Sequence, residues 1–255
     1  MKVFKPITAI AICVVFLSCT SFGRKAPVAN TADTTGFAVV ELFTSEGCSS
    51  CPAADALLAR IAGEYKQNVY VMEFHVDYWN YIGWKDVFSS PEYTERQQHY
   101  AKLFQLNSTY TPQAIVNGHM ELVGSDDYKM HDGINRFLKQ VPGTQITLSA
   151  KANNRSIDVS YIVSSNKNEM LNIAIVQKMA ETNVRRGENS GRKLKHINIV
   201  RTFTIIDDGK SNGLVSIPLP GGLAAKDVEV IAYTQQKDSW EITGVAEVKT
   251  PNLSR

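Results

Sequence analysis

The chain has no excess of charge, few cysteines, no apolar run long enough to cross a membrane and no internal repeat. Lys and Arg total 27 against 25 Asp and Glu. Two of the 27, Lys2 and Lys5, lie in an N-terminal segment that reads as a leader, so 25 bases face 25 acids in the mature chain. That balance argues against nucleic acid as a partner, because phosphate binding needs a basic face. The longest apolar stretch, Ile7 to Leu17, falls short of the roughly 20 residues that span a bilayer. With four cysteines in 255 residues, this is not a disulfide-stapled mini-domain.

Two basic residues, a short apolar run and Phe16-Leu17-Ser18-Cys19 make an export signal, expected to end at residue 18. Its end resembles a bacterial lipoprotein box, with Cys19 as the lipidated new N-terminus and the lipid as the link to a membrane. Phe16 departs from the usual Leu, and an ordinary secretory cleavage slightly downstream is the competing reading. Either way the chain is expected in the cell envelope, periplasmic or membrane-anchored. Residues 19–36 are polar and small and read as a tether. Cys13 leaves with the leader and Cys19 would carry lipid, which leaves Cys48 and Cys51 as the cysteines of the folded body.

Those two close the stretch Val39 to Pro52, a buried strand broken at Ser45-Glu46-Gly47 and followed by a helix with Pro52 in its first turn. Unpaired N–H groups and the positive end of the helix macrodipole favour thiolate there, the form that attacks disulfides and binds metals. A bridge closing so short a loop removes little chain entropy, which makes stapling a poor explanation for the pair. Apolar positions Ala54, Leu57, Leu58 and Ile61 recur at helical spacing, and Val69 to Val76 makes a second strand. An aromatic loop, Asp77 to Trp84, follows. Further on come a helix from Pro91 to Leu106, Thr111-Pro112, a strand, the hairpin signal Asn117-Gly118, a strand, and a helix capped by Ser125. Beyond Pro142-Gly143 helical periodicity stops. Short alternating runs succeed one another: Ile146 to Ala150, Ile157 to Val163, Leu171 to Lys178, Ile197 to Ile205, Val215 to Ile217, Val228 to Thr234 and Trp240 to Val248.

The order strand, Cys-X-X-Cys at a helix start, and Thr-Pro before a later strand resembles the thioredoxin fold. The fold class expected is therefore α/β: a thioredoxin-like domain over residues 37–141, then an all-β immunoglobulin-like sandwich over 144–250. More narrowly, Glu41 to Pro52, His75-Val76-Asp77-Tyr78-Trp79, Gly83-Trp84 and Arg186 to Arg192 resemble the exported thioredoxin-like family called domain of unknown function 1223. The thioredoxin resemblance implies that Thr111 and a cis Pro112 hold the substrate backbone.

The leading expectation is a thiol-disulfide oxidoreductase acting on protein or small-molecule thiols and disulfides without a cofactor. Cys48 attacks and Cys51 resolves. Glu41, a carboxylate on a covered strand, is expected either to relay a proton to Cys51 or to be a hydrogen-bonded structural acid. Trp79 and Trp84, with His75 and Asp77, either line the substrate cleft or belong to the core. Two alternatives stand beside this: a copper- or zinc-handling protein with Cys48, Cys51 and His75 as ligands, and a non-enzymatic envelope binding module. His99, His119, His131 and His196 lack ligand spacing and read as surface or core residues. Residues 185–193 read as a charged hairpin or loop, expected as a solvated turn, with anion binding or docking on the first domain as the alternatives.

Overall fold

The computed structural model describes residues 1–2, 36–153, 155–164 and 168–249. Cys13, Cys19, the cleavage site and residues 19–35 of the tether lie outside these residues. Strand β1 (Ala38–Thr44) is buried along its whole length. Helix α1 (Cys51–Glu64) follows it, and β2 (Val69–His75) returns parallel to β1 in register from Ala38↔Val69 to Thr44↔His75. Alternation divides β1 between two cores. Ala38, Val40 and Leu42 pack with Leu57, Leu58 and Ile61 of α1. Val39 and Phe43 pack with Tyr93 and Tyr100 of α2 (Pro91–Leu103) on the other face.

Ser90 caps α2 by accepting from the Glu92 N–H, with Pro91 opening the helix. Strands β3 (Gln113–Val116) and β4 (Met120–Val123) form a hairpin beside β1, turned by Asn117 and Gly118 with φ of 51° and 66°. A Cβ on Gly118 would stand 1.9 Å from the Trp240 carbonyl oxygen, so glycine is required for space as well as for backbone conformation. Helix α3 (Asp127–Phe137) is capped by Asp126, which accepts from Lys129, one residue later than the expected Ser125.

The second half supplies β5 (Ile146–Ala152), β6 (Ser156–Val163), β7 (Glu169–Asn183), β8 (Lys193–Ile206), β9 (Asn212–Pro218), β10 (Val228–Gln236) and β11 (Ile242–Lys249). Here the structure corrects the expected fold class. In place of a thioredoxin-like domain followed by its own immunoglobulin-like sandwich, one mixed eight-stranded sheet runs β11-β10-β7-β8-β2-β1-β3-β4 through both halves. Among the described residues only β5, β6 and β9 form a separate sheet, antiparallel, packed on β7, β10 and β11 around Leu148, Ile157, Ile173 and Val230.

The cause lies in β7 and β8. Both run well past the apolar stretches Leu171 to Lys178 and Ile197 to Ile205, and they pair antiparallel as far as Asn183↔Lys193. This length carries β8 alongside β2, which it joins in parallel at Glu73↔Ile199, and against α1. An edge of β2 that would otherwise be open is thereby covered.

Candidate functional site

Cys48 and Cys51 are joined by a disulfide at the N-terminus of α1. Cys51 is the first helical residue, and its N–H donates to the Cys48 carbonyl at 3.3 Å. Both cysteines are buried, Cys48 at 1% and Cys51 at 0% exposure, while Ser49 and Ser50 between them are exposed. Cys48 Sγ lies 3.3 Å from Ser50 Oγ and 3.8 Å from the Thr111 carbonyl oxygen. The Thr111–Pro112 peptide is cis. The Trp79 indole N–H donates to Thr111 Oγ1 at 2.8 Å, so the aromatic loop after β2 fixes the residue that faces the disulfide.

The segment 185–192, between β7 and β8, does not stand in solvent as a free turn. It docks on the cysteine loop. The Asn189 side-chain amide, fully buried, donates to the carbonyls of Glu46 at 2.9 Å and Cys48 at 2.8 Å, and Arg192 donates to Asn189 Oδ1. Glu188 accepts from the Ser49 N–H at 3.0 Å. Gly187, at φ +75°, would bring a Cβ to 3.0 Å from Ile82.

Glu41 is placed away from this chemistry. It shares the face of β1 that carries Val39 and Phe43, opposite α1, and accepts from Arg96 at 2.7 and 3.1 Å and from the Tyr233 hydroxyl. The buried carboxylate on the α1 side is Asp55, one helical turn after Cys51. It accepts from Thr44 Oγ1 at 2.8 Å, and burial, then Glu73, push its carboxyl up to about 7.

Trp84 donates to Glu46 Oε2 at 2.8 Å rather than facing the sulfurs. His75 is fully buried, with Nδ1 2.7 Å from Asp86 Oδ2 and Nε2 3.4 Å from Glu73 Oε2. Burial opposes charge on His75, but Asp86 and Glu73 outweigh it and hold the imidazole well above its ordinary range. Asp77 is bound to Thr94, whose hydroxyl donates to Asp77 Oδ1 at 2.6 Å. Among the described residues the group suited to hold a metal ion is Glu73, His75 and His196. The cysteines, bonded to each other, are not part of it.

A family model described as Protein of unknown function (DUF1223) matches residues 39–235, from β1 to within β10. The chain belongs to this family. The DUF1223 chain is similar to the crystal structure of protein AGR_C_4864 from Agrobacterium tumefaciens, at 28% identity and TM-score 0.66, over 88% of this chain and 99% of that one. It also shares its fold with HBP35 of Porphyromonas gingivalis, at 15% identity and TM-score 0.57, over 88% of this chain and 79% of the other. No curated protein matches it.

For this DUF1223 member, sequence reasoning missed Asp55, Glu73 and Asp86, set His196 aside, and had Asn189 only within the family-like stretch Arg186 to Arg192. Two signals were available. Glu73 and His75 stand two apart on a strand and so share a face, and Asp55 follows Cys51 by one helical turn. His196 carries no such mark, and its place depends on the pairing of β8 with β2.

Proposed function

We propose that the chain exchanges disulfides with protein or small-molecule thiols through Cys48 and Cys51, outside the cytoplasm. The observation that carries this reading is the Cys48–Cys51 disulfide at the first turn of α1, with Cys48 Sγ facing the Thr111 carbonyl. The dipole and free N–H groups at that turn favour the thiolate that reduction releases. The export part rests on the leader pattern. Among the described residues no helix is long and apolar enough to cross a membrane.

In the forward direction a substrate thiolate attacks Cys48 Sγ, the S–S bond breaks, and Cys51 leaves as thiolate and takes up a proton. A second substrate thiolate then attacks the substrate sulfur of the mixed disulfide and expels Cys48. The substrate dithiol loses two electrons and two protons overall, and the cysteine pair gains them; the reverse direction reduces a substrate disulfide. Cys48 is covered, so its side-chain surroundings must part beside Ser49 and Ser50 before attack. Pro112, Thr111 and Trp79 shape the contact for the incoming chain.

The test is the redox equilibrium of the pair in glutathione buffers, read by alkylation of free thiols. A reversible transition within roughly −120 to −270 mV is expected, as for known exchange proteins. Cys48→Ser abolishes exchange, and Cys51→Ser accumulates a mixed disulfide on Cys48. A bridge resisting reduction well below about −300 mV would make it structural and overturn the reading.

A further inference from the structure

Behind the disulfide, on the α1 face of the sheet, four carboxylates and two imidazoles are buried together. They are Glu46 from the turn after β1, Asp55 from α1, Glu73 and His75 from β2, Asp86 from the following loop, and His196 from β8. Four acids face at most two cationic rings. Buried charge left without compensation costs several kcal/mol per ion.

The geometry at the centre of this group is that of ligands around a cation. Glu73 Oε2 stands 3.4 Å from His75 Nε2 and 3.2 Å from His196 Nδ1, and the three atoms lie within 4.8 Å of one another. A tetrahedral ion with bonds of about 2.0–2.1 Å sets its ligand atoms roughly 3.3 Å apart. His196 is fully buried, yet neither of its ring nitrogens has an aligned hydrogen-bond partner, and Glu46 Oε1 lacks one as well. Asp86, 2.7 Å from His75 Nδ1, holds that ring with Nε2 aimed at Glu73, as a carboxylate behind a metal-bound histidine does. Glu46 Oε1 stands farther from the second ring, 3.7 Å from His196 Nε2, without a hydrogen bond to it. Asp55 Oδ2, 3.7 Å from His196 Nδ1, is a further oxygen beside the group for a fourth position.

We infer that Glu73, His75 and His196 form a binding site for one divalent transition-metal cation of the zinc type, closed to solvent, which ties β8 to β2. Two nitrogens and a carboxylate suit such an ion, and full burial suits a structural site rather than one open to substrate. Ligating imidazoles are neutral, so the dication supplies the positive charge that two protonated rings would otherwise carry in this buried group. The cysteines take no part, so the site is independent of the redox reading.

The test uses full-length mature protein from zinc-supplemented culture, dialysed into metal-free buffer, with zinc measured by elemental analysis. Wild type and the Cys48→Ser/Cys51→Ser double variant are each expected to retain one equivalent. Glu73→Gln and His196→Gln are expected to bind about tenfold more weakly or worse. Protein from cobalt-supplemented culture should show the visible bands of tetrahedral cobalt without the near-ultraviolet thiolate band. That spectrum decides the matter on wild-type protein even if a variant fails to fold. Wild type without metal, metal that departs with the cysteines, or a thiolate band would each overturn the proposal.

Discussion

Asn189 donates its side-chain amide to the backbone carbonyl of Cys48 at 2.8 Å, across 141 residues of sequence. The same amide group holds the Glu46 carbonyl, so one buried side chain from the second half satisfies two backbone acceptors of the cysteine loop. Asn189→Ala strands both. The expected loss is about 1–3 kcal/mol, the cost of unsatisfied buried polar groups, measured by urea unfolding of the oxidised protein. Asn189→Ala is also expected to speed reduction of the disulfide by dithiothreitol, because the loop that presents it loosens. Unchanged stability would show that water replaces the amide freely.

Trp79 fixes Thr111 through a single hydrogen bond at 2.8 Å. Trp79→Phe keeps most of the aromatic bulk and removes the donor. Its expected effect is a modest loss of stability, about 0.5–1.5 kcal/mol, with exchange slowed by about fivefold, the rate equivalent of roughly 1 kcal/mol. The comparison is made by stopped-flow with a disulfide peptide. Equal rates would remove Thr111 from the substrate contact.

Arg96 is buried against Glu41 on β1 and also donates to Tyr233 and Gln235 on β10. Its guanidinium lies over the rings of Phe203 and Trp240 at 4.9 Å each. Arg96→Met leaves the buried Glu41 without its cationic partner, an expected cost of about 3–5 kcal/mol. Removing both charges in Glu41→Met/Arg96→Met should cost less than Arg96→Met alone. Urea denaturation of the three proteins checks the ordering.

Glu247 on β11 is mostly buried near Glu229, and burial, then that neighbour, push its carboxyl up to about 7. Its folded pKa exceeds the unfolded value near 4.5, so the folded state binds this proton more tightly. The resulting stabilisation is present below about pH 4.5 and is lost as pH rises through 7. Glu247→Gln, which cannot ionise, should therefore gain on wild type between pH 5 and pH 8, by on the order of 1–2 kcal/mol. Chemical denaturation at the two pH values measures it.

Local features were legible because they rest on neighbours in the chain. The strand running into the cysteines, the α1 stripe of Ala54, Leu57, Leu58 and Ile61, Pro91 at the head of α2 and the Asn117-Gly118 turn each follow from a few adjacent residues. The family was legible from the stretch around the cysteines and the tryptophan loop. The fold class was not, because apolar alternation marks a strand without naming its neighbour. Nothing within Lys193 to Ile206 says that it lies beside β2 rather than in a separate sandwich. Glu41 was misplaced relative to the sulfurs for a related reason: a strand covered on both faces hides which face a given side chain takes. His196 was set aside because ligand spacing along the sequence is a signal only when ligands share one element.

The pairing of β8 with β2 sets a limit on how this protein can be divided. A fragment ending near residue 141 would keep both cysteines, α1 and the β3–β4 hairpin, yet would lose the strand that covers β2. It would also lose the asparagine that holds the cysteine loop. Its raw edge, Val69 to His75, carries the β-branched and aromatic residues that recruit a second chain. A minimal cysteine module cut from this sequence is thus expected to self-associate, and an engineer seeking a smaller version would shorten β5, β6 and β9 instead.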